Sequence, residues 1–264
     1  MKHYAYMLLA WLLVSPVFAQ TIDRLVDEWD RQDNQAAQQC LSSIDDYFVS
    51  QKQAIPAFTD ELYTLYAKAA ILFDSQYAPE LWAKHLFTES QVSQVFEKSL
   101  RELEYDLAAS QNRLLIQIDI ELQHLGKPKV ALQLPDFRDI LRQQLAKTSN
   151  HAGKQAVTSE IISLIVGDIV IGLVSKVAHQ AATEGAVGGV AKAAGGLASF
   201  GLSVVILLCV DYAVTAISKG QTERLIVQQI DAMRDQVTLK LRPAIFQALS
   251  DCQKQRRELI CALR

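Results

Sequence analysis

Beyond residue 20, apolar positions return at three- and four-residue steps and strand-like alternation is scarce. The chain therefore reads as helical along nearly all of its length. In TIDRLVDEWDRQDNQAAQQCLSSIDDYFVSQ, residues 21–51, the stripe opens with Ile22, Leu25, Val26 and Trp29. Pro56 interrupts it. Thr59 is the expected N-cap of a second helix running through Phe73, with Asp60 and Glu61 placing negative charge in its first turn.

Pro79 opens the short helical stretch PELWAKHLF. TESQ, residues 88–91, has the form of a capping box, and Val92, Val95, Phe96, Leu100, Leu103, Leu107, Leu114, Ile118 and Leu122 follow at helical intervals. Unbroken to Leu125, that helix would be about 55 Å long. Gly126, Pro128 and Pro135 end it, DFRDILRQQLAK predicts another helix, and the polar stretch TSNHAGKQ marks a boundary. From Gln221 onward, Leu225, Ile230, Met233, Val237, Leu241, Ile245 and Leu249 outline a second long helix, which Pro243 is expected to kink or restart. The pattern predicts an all-α protein, an elongated antiparallel helical bundle or coiled-coil-like stalk.

Different rules govern the stretch between these helices. Eight of the 11 glycines fall between Gly167 and Gly201. Residues 161–178, IISLIVGDIVIGLVSKVA, approach the length of a membrane span, and Leu197 to Ile217 supply about 21 largely apolar residues, close to what a span requires. Between them Ala181, Gly185, Gly189 and Ala193 recur every four residues, a ridge that lets a neighbouring backbone approach closely. The expected element is a Gly/Ala-rich apolar helical hairpin in lipid. A helical hairpin buried in protein, or one inserted only conditionally, are the competing readings. Asp168 lies centrally in the first segment, where a carboxylate costs roughly 2.5–3.5 kcal/mol on insertion scales, and Asp211 lies nearer the end of the second. Both are candidate polar residues of a membrane segment. Hydrogen bonding to a neighbouring helix is the simpler role for each.

The N-terminus, MKHYAYMLLAWLLVSPVFAQ, joins one lysine to a short apolar run and small residues before Gln20. It reads as a secretory signal over residues 1–19, with an uncleaved N-terminal anchor as the competing reading. Export permits disulfides. Cys40, Cys252 and Cys261 are the candidates, and Cys209 lies in the apolar run. On one helix Cys252 and Cys261 would stand about 13 Å apart, so Cys40 is the expected partner of one of them.

With 50% hydrophobic residues, 21% charged residues and a net charge of -3, the chain has no basic field for nucleic acid. His85, His124, His151 and His179 are scattered and show no metal-ligand spacing. GAVGGVAKAAGG lacks the ending of a phosphate loop, and no G-x-S-x-G elbow occurs. Three carboxylate clusters (Asp27, Glu28 and Asp30; Asp45 and Asp46; Glu102, Glu104 and Asp106) read as solvated helix faces, whereas Trp29 and Trp82 read as core anchors.

The expected organisation is a signal at 1–19, an N-terminal helical domain at 20–152, the apolar hairpin at 153–220 and a C-terminal helix at 221–264 packing on the N-terminal helices. The expected function is an exported, membrane-anchored, non-catalytic scaffold or interaction protein, with its helices on the periplasmic or extracellular side. Its partners would be membrane lipid and another protein or further copies of itself, with no cofactor, metal or nucleic acid. The alternative is a secreted helical pore-forming or toxin-like protein.

Overall fold

The apolar stripes become helices. The computed structural model describes residues 2–74, 77–124, 134–148, 157–167, 169 and 218–261. Its helices are α1 (Lys2–Lys52), α2 (Ile55–Leu62), α3 (Leu65–Phe73), α4 (Tyr77–His85), α5 (Glu89–His124), α6 (Phe137–Thr148) and α7 (Lys219–Cys261). A further helical stretch covers 158–167. No strand occurs among the described residues, and the protein is all-α.

Local chemistry explains the helix starts. At Thr88 the capping box forms as its sequence predicts: the Gln91 amide donates to Thr88 Oγ1 at 3.2 Å and the Thr88 amide to Gln91 Oε1 at 2.7 Å. Ser218 and Gln221 repeat the backbone half of this arrangement before α7, with the Ser218 amide 3.1 Å from Gln221 Oε1.

Thr59 is not a cap. Pro56 sits in the first turn of α2, where its missing N–H is harmless, so the helix begins before Thr59 rather than at it. Thr59 is buried inside α2 and donates back to the Ile55 and Pro56 carbonyls. Asp60 and Glu61 consequently fall in the last turn of α2. The break comes at Tyr63 and Thr64, and Thr64 caps α3 by accepting from the Ala67 amide at 3.1 Å. Pro243, expected to kink or restart the C-terminal helix, lies exposed within α7, which continues through it without a restart.

The chain forms two compact units. The first comprises Met1–Cys40, Leu100–Gln144 and Pro243–Arg264. Its described core holds Ile22, Val26 and Trp29 of α1, Leu114, Ile118 and Leu122 of α5, and Ile260 of α7. Trp29 Nε1 donates to Gln117 and Ser110 to Asp33, so position rises along α1 as it falls along α5. Arg257 reaches Asp27 while Gln253 reaches the Asp30 carbonyl. Within this unit α5 and α7 therefore run in the same direction and α1 runs against both. The α6 helix joins them through Gln144 to Asp251 at 2.9 Å and Arg138 to Glu104 at 3.0 Å.

The second unit comprises Leu41–Ser99 and Leu145–Arg242. Aromatic rings fill its described core: Phe48, Phe58, Phe87 and Phe96 are fully buried and Trp82 nearly so. Their ring centroids stand 5.6–6.4 Å apart for the pairs Phe58–Trp82, Trp82–Phe87, Phe48–Phe87 and Phe48–Phe96, the separations at which edge and tilted ring contacts are favourable. Ile161, Ile162, Ile165 and Val166 are also buried, while Glu160 and Ser163 on the same helical stretch are exposed. Ile161 and the residues after it thus begin the apolar segment with one face against protein.

Candidate functional site

Three stripe positions in the first unit are polar. On α1 the buried positions run Val26, Trp29, Asp33, Ala37; on α5 they run Leu107, Ser110, Leu114; on α7 they run Cys252, Arg256, Ile260. Each series keeps the helical spacing of a core stripe. Asp33, Ser110 and Arg256 therefore point inward for the same geometric reason as the leucines beside them, and they meet. Ser110 Oγ donates to Asp33 Oδ1 at 2.8 Å, and Arg256 Nη2 lies 2.8 Å from Asp33 Oδ2.

Asp30, one turn earlier on α1, completes the layer. It accepts from Arg256 and from Arg257, whose Nε lies 2.8 Å from Asp30 Oδ2. Arg257 also bonds Asp27 at 2.8 Å. Burial grades sharply across the group: Arg256 is 0% exposed, Asp33 3% and Asp30 8%, whereas the Arg257 and Asp27 side chains are 46% and 67% exposed. Asp27 and Glu28 sit on the solvated face that the sequence pattern predicts. Asp30 does not, because the α7 arginines cover it.

One wholly buried guanidinium thus faces two buried carboxylates. Burial pushes the Asp33 carboxyl above the usual aspartate range and the charge of Asp30 adds to the rise, against the pull of Arg256 and the Ser110 hydrogen bond. Arg257, at the rim, offsets the surplus negative charge. Arg256 Nε and Nη1 have no hydrogen-bond partner among the described residues. The layer's inner part, Asp33, Ser110 and Arg256, is closed to solvent, and only the Arg257–Asp27 rim is exposed, an arrangement suited to fixing helix register. It is satisfied only when all three helices stand in one alignment.

Of the cysteines, Cys252 lies nearest this layer, one turn before Arg256 on α7. Cys40, Cys252 and Cys261 stand as free thiols in this structure. Cys252 Sγ is held by the Pro135 carbonyl at 3.8 Å and by Gln111 at 3.5 Å. Burial pushes the Cys40 thiol up to about 12, with Glu102 adding to it, and burial pushes Cys252 up to about 11. Neither is a ready nucleophile at neutral pH.

In the second unit a groove of about 330 Å³ opens between α1 and α5, lined by Tyr47, Gln51, Leu86, Gln91, Gln94, Val95 and Lys98. Burial raises the Tyr47 phenol to about 12. Among the described residues no group of three or more His, Cys, Asp or Glu is placed to hold a metal ion. No helix among them is long and apolar enough to cross a membrane. Asp168, Asp211, the ridge of Ala181, Gly185, Gly189 and Ala193, and Cys209 lie outside the described residues. No protein-family model matches the chain, and no curated protein or solved structure matches it.

Proposed function

We propose that the chain is an exported, non-catalytic helical scaffold that holds its Gly/Ala-rich segment at a membrane and presents its helices to a protein partner or to further copies of itself. One observation carries the reading. Between Gly167 and Gly201 the sequence concentrates eight of its 11 glycines, and Leu197 to Ile217 form an apolar run of about 21 residues, at the length a span requires. The closed character of the Asp33–Ser110–Arg256 layer supports the non-catalytic part, since these buried charged groups are paired with one another and shut off from solvent. The signal-like residues 1–19 support export.

Carbonate extraction of a membrane fraction tests it. Retention of the chain in the pellet is the expected result, and quantitative release to the supernatant defeats the proposal. Replacing Gly185 and Gly189 by leucine in the same fraction should disrupt assembly, because the ridge could no longer admit a neighbouring backbone.

A second reading has its own support. The one-sided burial of Ile161, Ile162, Ile165 and Val166 against protein suits a secreted helical protein that keeps its hairpin folded away until it meets a target membrane. On that reading the chain purifies without detergent and makes liposomes leak. Failure to leak across pH and lipid composition excludes it.

A further inference from the structure

α3 is apolar along its length, LYAKAAILF, with Lys68 its one charge. Its first residues, 65 and 66, face outward. Among its described side chains only Ala67 is buried, while Leu65 is 89% and Tyr66 74% exposed. Tyr66 meets Tyr77, at the start of α4, edge-on with ring centroids 6.0 Å apart. The patch so formed belongs to two helices that pack on each other. Lys68 lies over the Tyr63 ring at 4.9 Å from its centroid.

What covers this patch is indicated by where the chain enters α7. Tyr63 Oη stands 2.7 Å from Thr222 Oγ1, Thr59 Oγ1 lies 2.9 Å from Glu223 Oε1, and Lys219 pairs with Asp60. These contacts fasten the joint between α2 and α3 to the first turn of α7. That turn follows directly on the apolar run that ends at Ile217. A bilayer holding the run would begin at this joint, and Leu65 and Tyr66 follow Tyr63 by two and three residues. The residue types suit that level: tyrosine rings favour the headgroup zone, leucine the acyl boundary, and lysine stems reach back to water. Among the described residues no basic cluster borders the patch, and Asp60 and Glu61 beside it are paired with Lys219 and Lys84, so the attraction is apolar rather than electrostatic.

Resting on the membrane-associated reading above, we infer that Leu65, Tyr66 and Tyr77 form a lipid-surface contact beside the root of the apolar segment. The contact is insensitive to salt, unlike a basic patch held by anionic headgroups.

The test uses the full chain with Cys209→Ala and Cys261→Ser, which leaves the two buried thiols. A nitrobenzoxadiazole label is placed at Tyr66→Cys or, as a control, at Leu239→Cys. Leu239 is 68% exposed and lies about 30 Å along α7 from Lys219. With vesicles of phosphatidylethanolamine and phosphatidylglycerol, emission from position 66 should shift to the blue and be quenched by doxyl lipid but not by iodide, at low and high salt alike. Position 239 should stay water-like. A chain that floats with vesicles while position 66 remains open to iodide overturns the contact and leaves membrane association standing. A chain that does not float overturns both. Equal shifts at 66 and 239, or a concentration-dependent shift at 66 without vesicles, also overturn the contact, the last by identifying a second copy as its occupant.

Discussion

Asp33 of α1 and Arg256 of α7 meet at 2.8 Å, each at a position in its helix's core stripe where an apolar side chain would otherwise stand. The pair is shut away from water and Ser110 of α5 joins it, so three helices share one polar layer. Such a layer adds little to stability against a well-packed apolar alternative, yet it strongly penalises misalignment.

Replacing Arg256 by methionine strands Asp33, and partly Asp30, in a site without solvent. The expected loss is about 3–5 kcal/mol, read as faster hydrogen exchange of α1 and α7 amides in the first unit. Replacing Asp33, Ser110 and Arg256 together by leucine, alanine and methionine should restore the exchange to the level of the original chain or slower. Asp30 keeps Arg257 as a partner in that variant. Equal damage in the single and triple variants would contradict the register-lock account.

Acid should act on Asp33 and Glu61 in opposite senses. Burial raises the Asp33 pKa in the folded chain, so the folded state holds that proton more tightly than the unfolded state. Its contribution is fully present below the unfolded pKa and is lost as pH rises through the raised one. The stability of the original chain relative to Asp33→Asn should therefore decline as pH rises through that window. Hydrogen bonds from Lys84 and then His85 lower the pKa of Glu61, so its contribution is present above the unfolded pKa and is lost as pH falls through the lowered one. Stability measured against pH for Asp33→Asn and Glu61→Gln separates the two, and the Glu61 effect should fade with salt.

Thiol reactivity should follow burial. Cys261 is exposed and should label rapidly in the folded chain, whereas Cys40 and Cys252, raised to about 12 and about 11, should label only on unfolding. Peptide-resolved alkylation with and without denaturant reads this directly. Rapid native labelling of Cys252 would show that its contact with Pro135 does not persist.

The capping box at α5 should behave as an ordinary N-terminus. Thr88→Ala removes the acceptor for the Gln91 amide and should destabilise the second unit by about 1 kcal/mol, with Thr88→Ser losing much less. Urea unfolding followed by circular dichroism compares the two.

The sequence by itself determined the helices. Three- and four-residue periodicity, the capping box at Thr88 and the tryptophans as core anchors depend on neighbours within one turn or on hydrophobicity alone, and they are legible in a line of letters. Thr59 misled because a threonine before acidic residues signals a helix start only if nothing upstream is already helical, and Pro56 in a first turn is as favourable there as a break would be. The tertiary structure decided the rest. DEWD reads as a solvated cluster, since nothing local says that Arg256 and Arg257, more than 220 residues away, will cover Asp30. Asp33, Ser110 and Arg256 left a trace in the sequence, as single polar interruptions of three apolar stripes. Yet a stripe shows only that a residue faces inward, and three separate interruptions become one layer only when packing brings their helices into register.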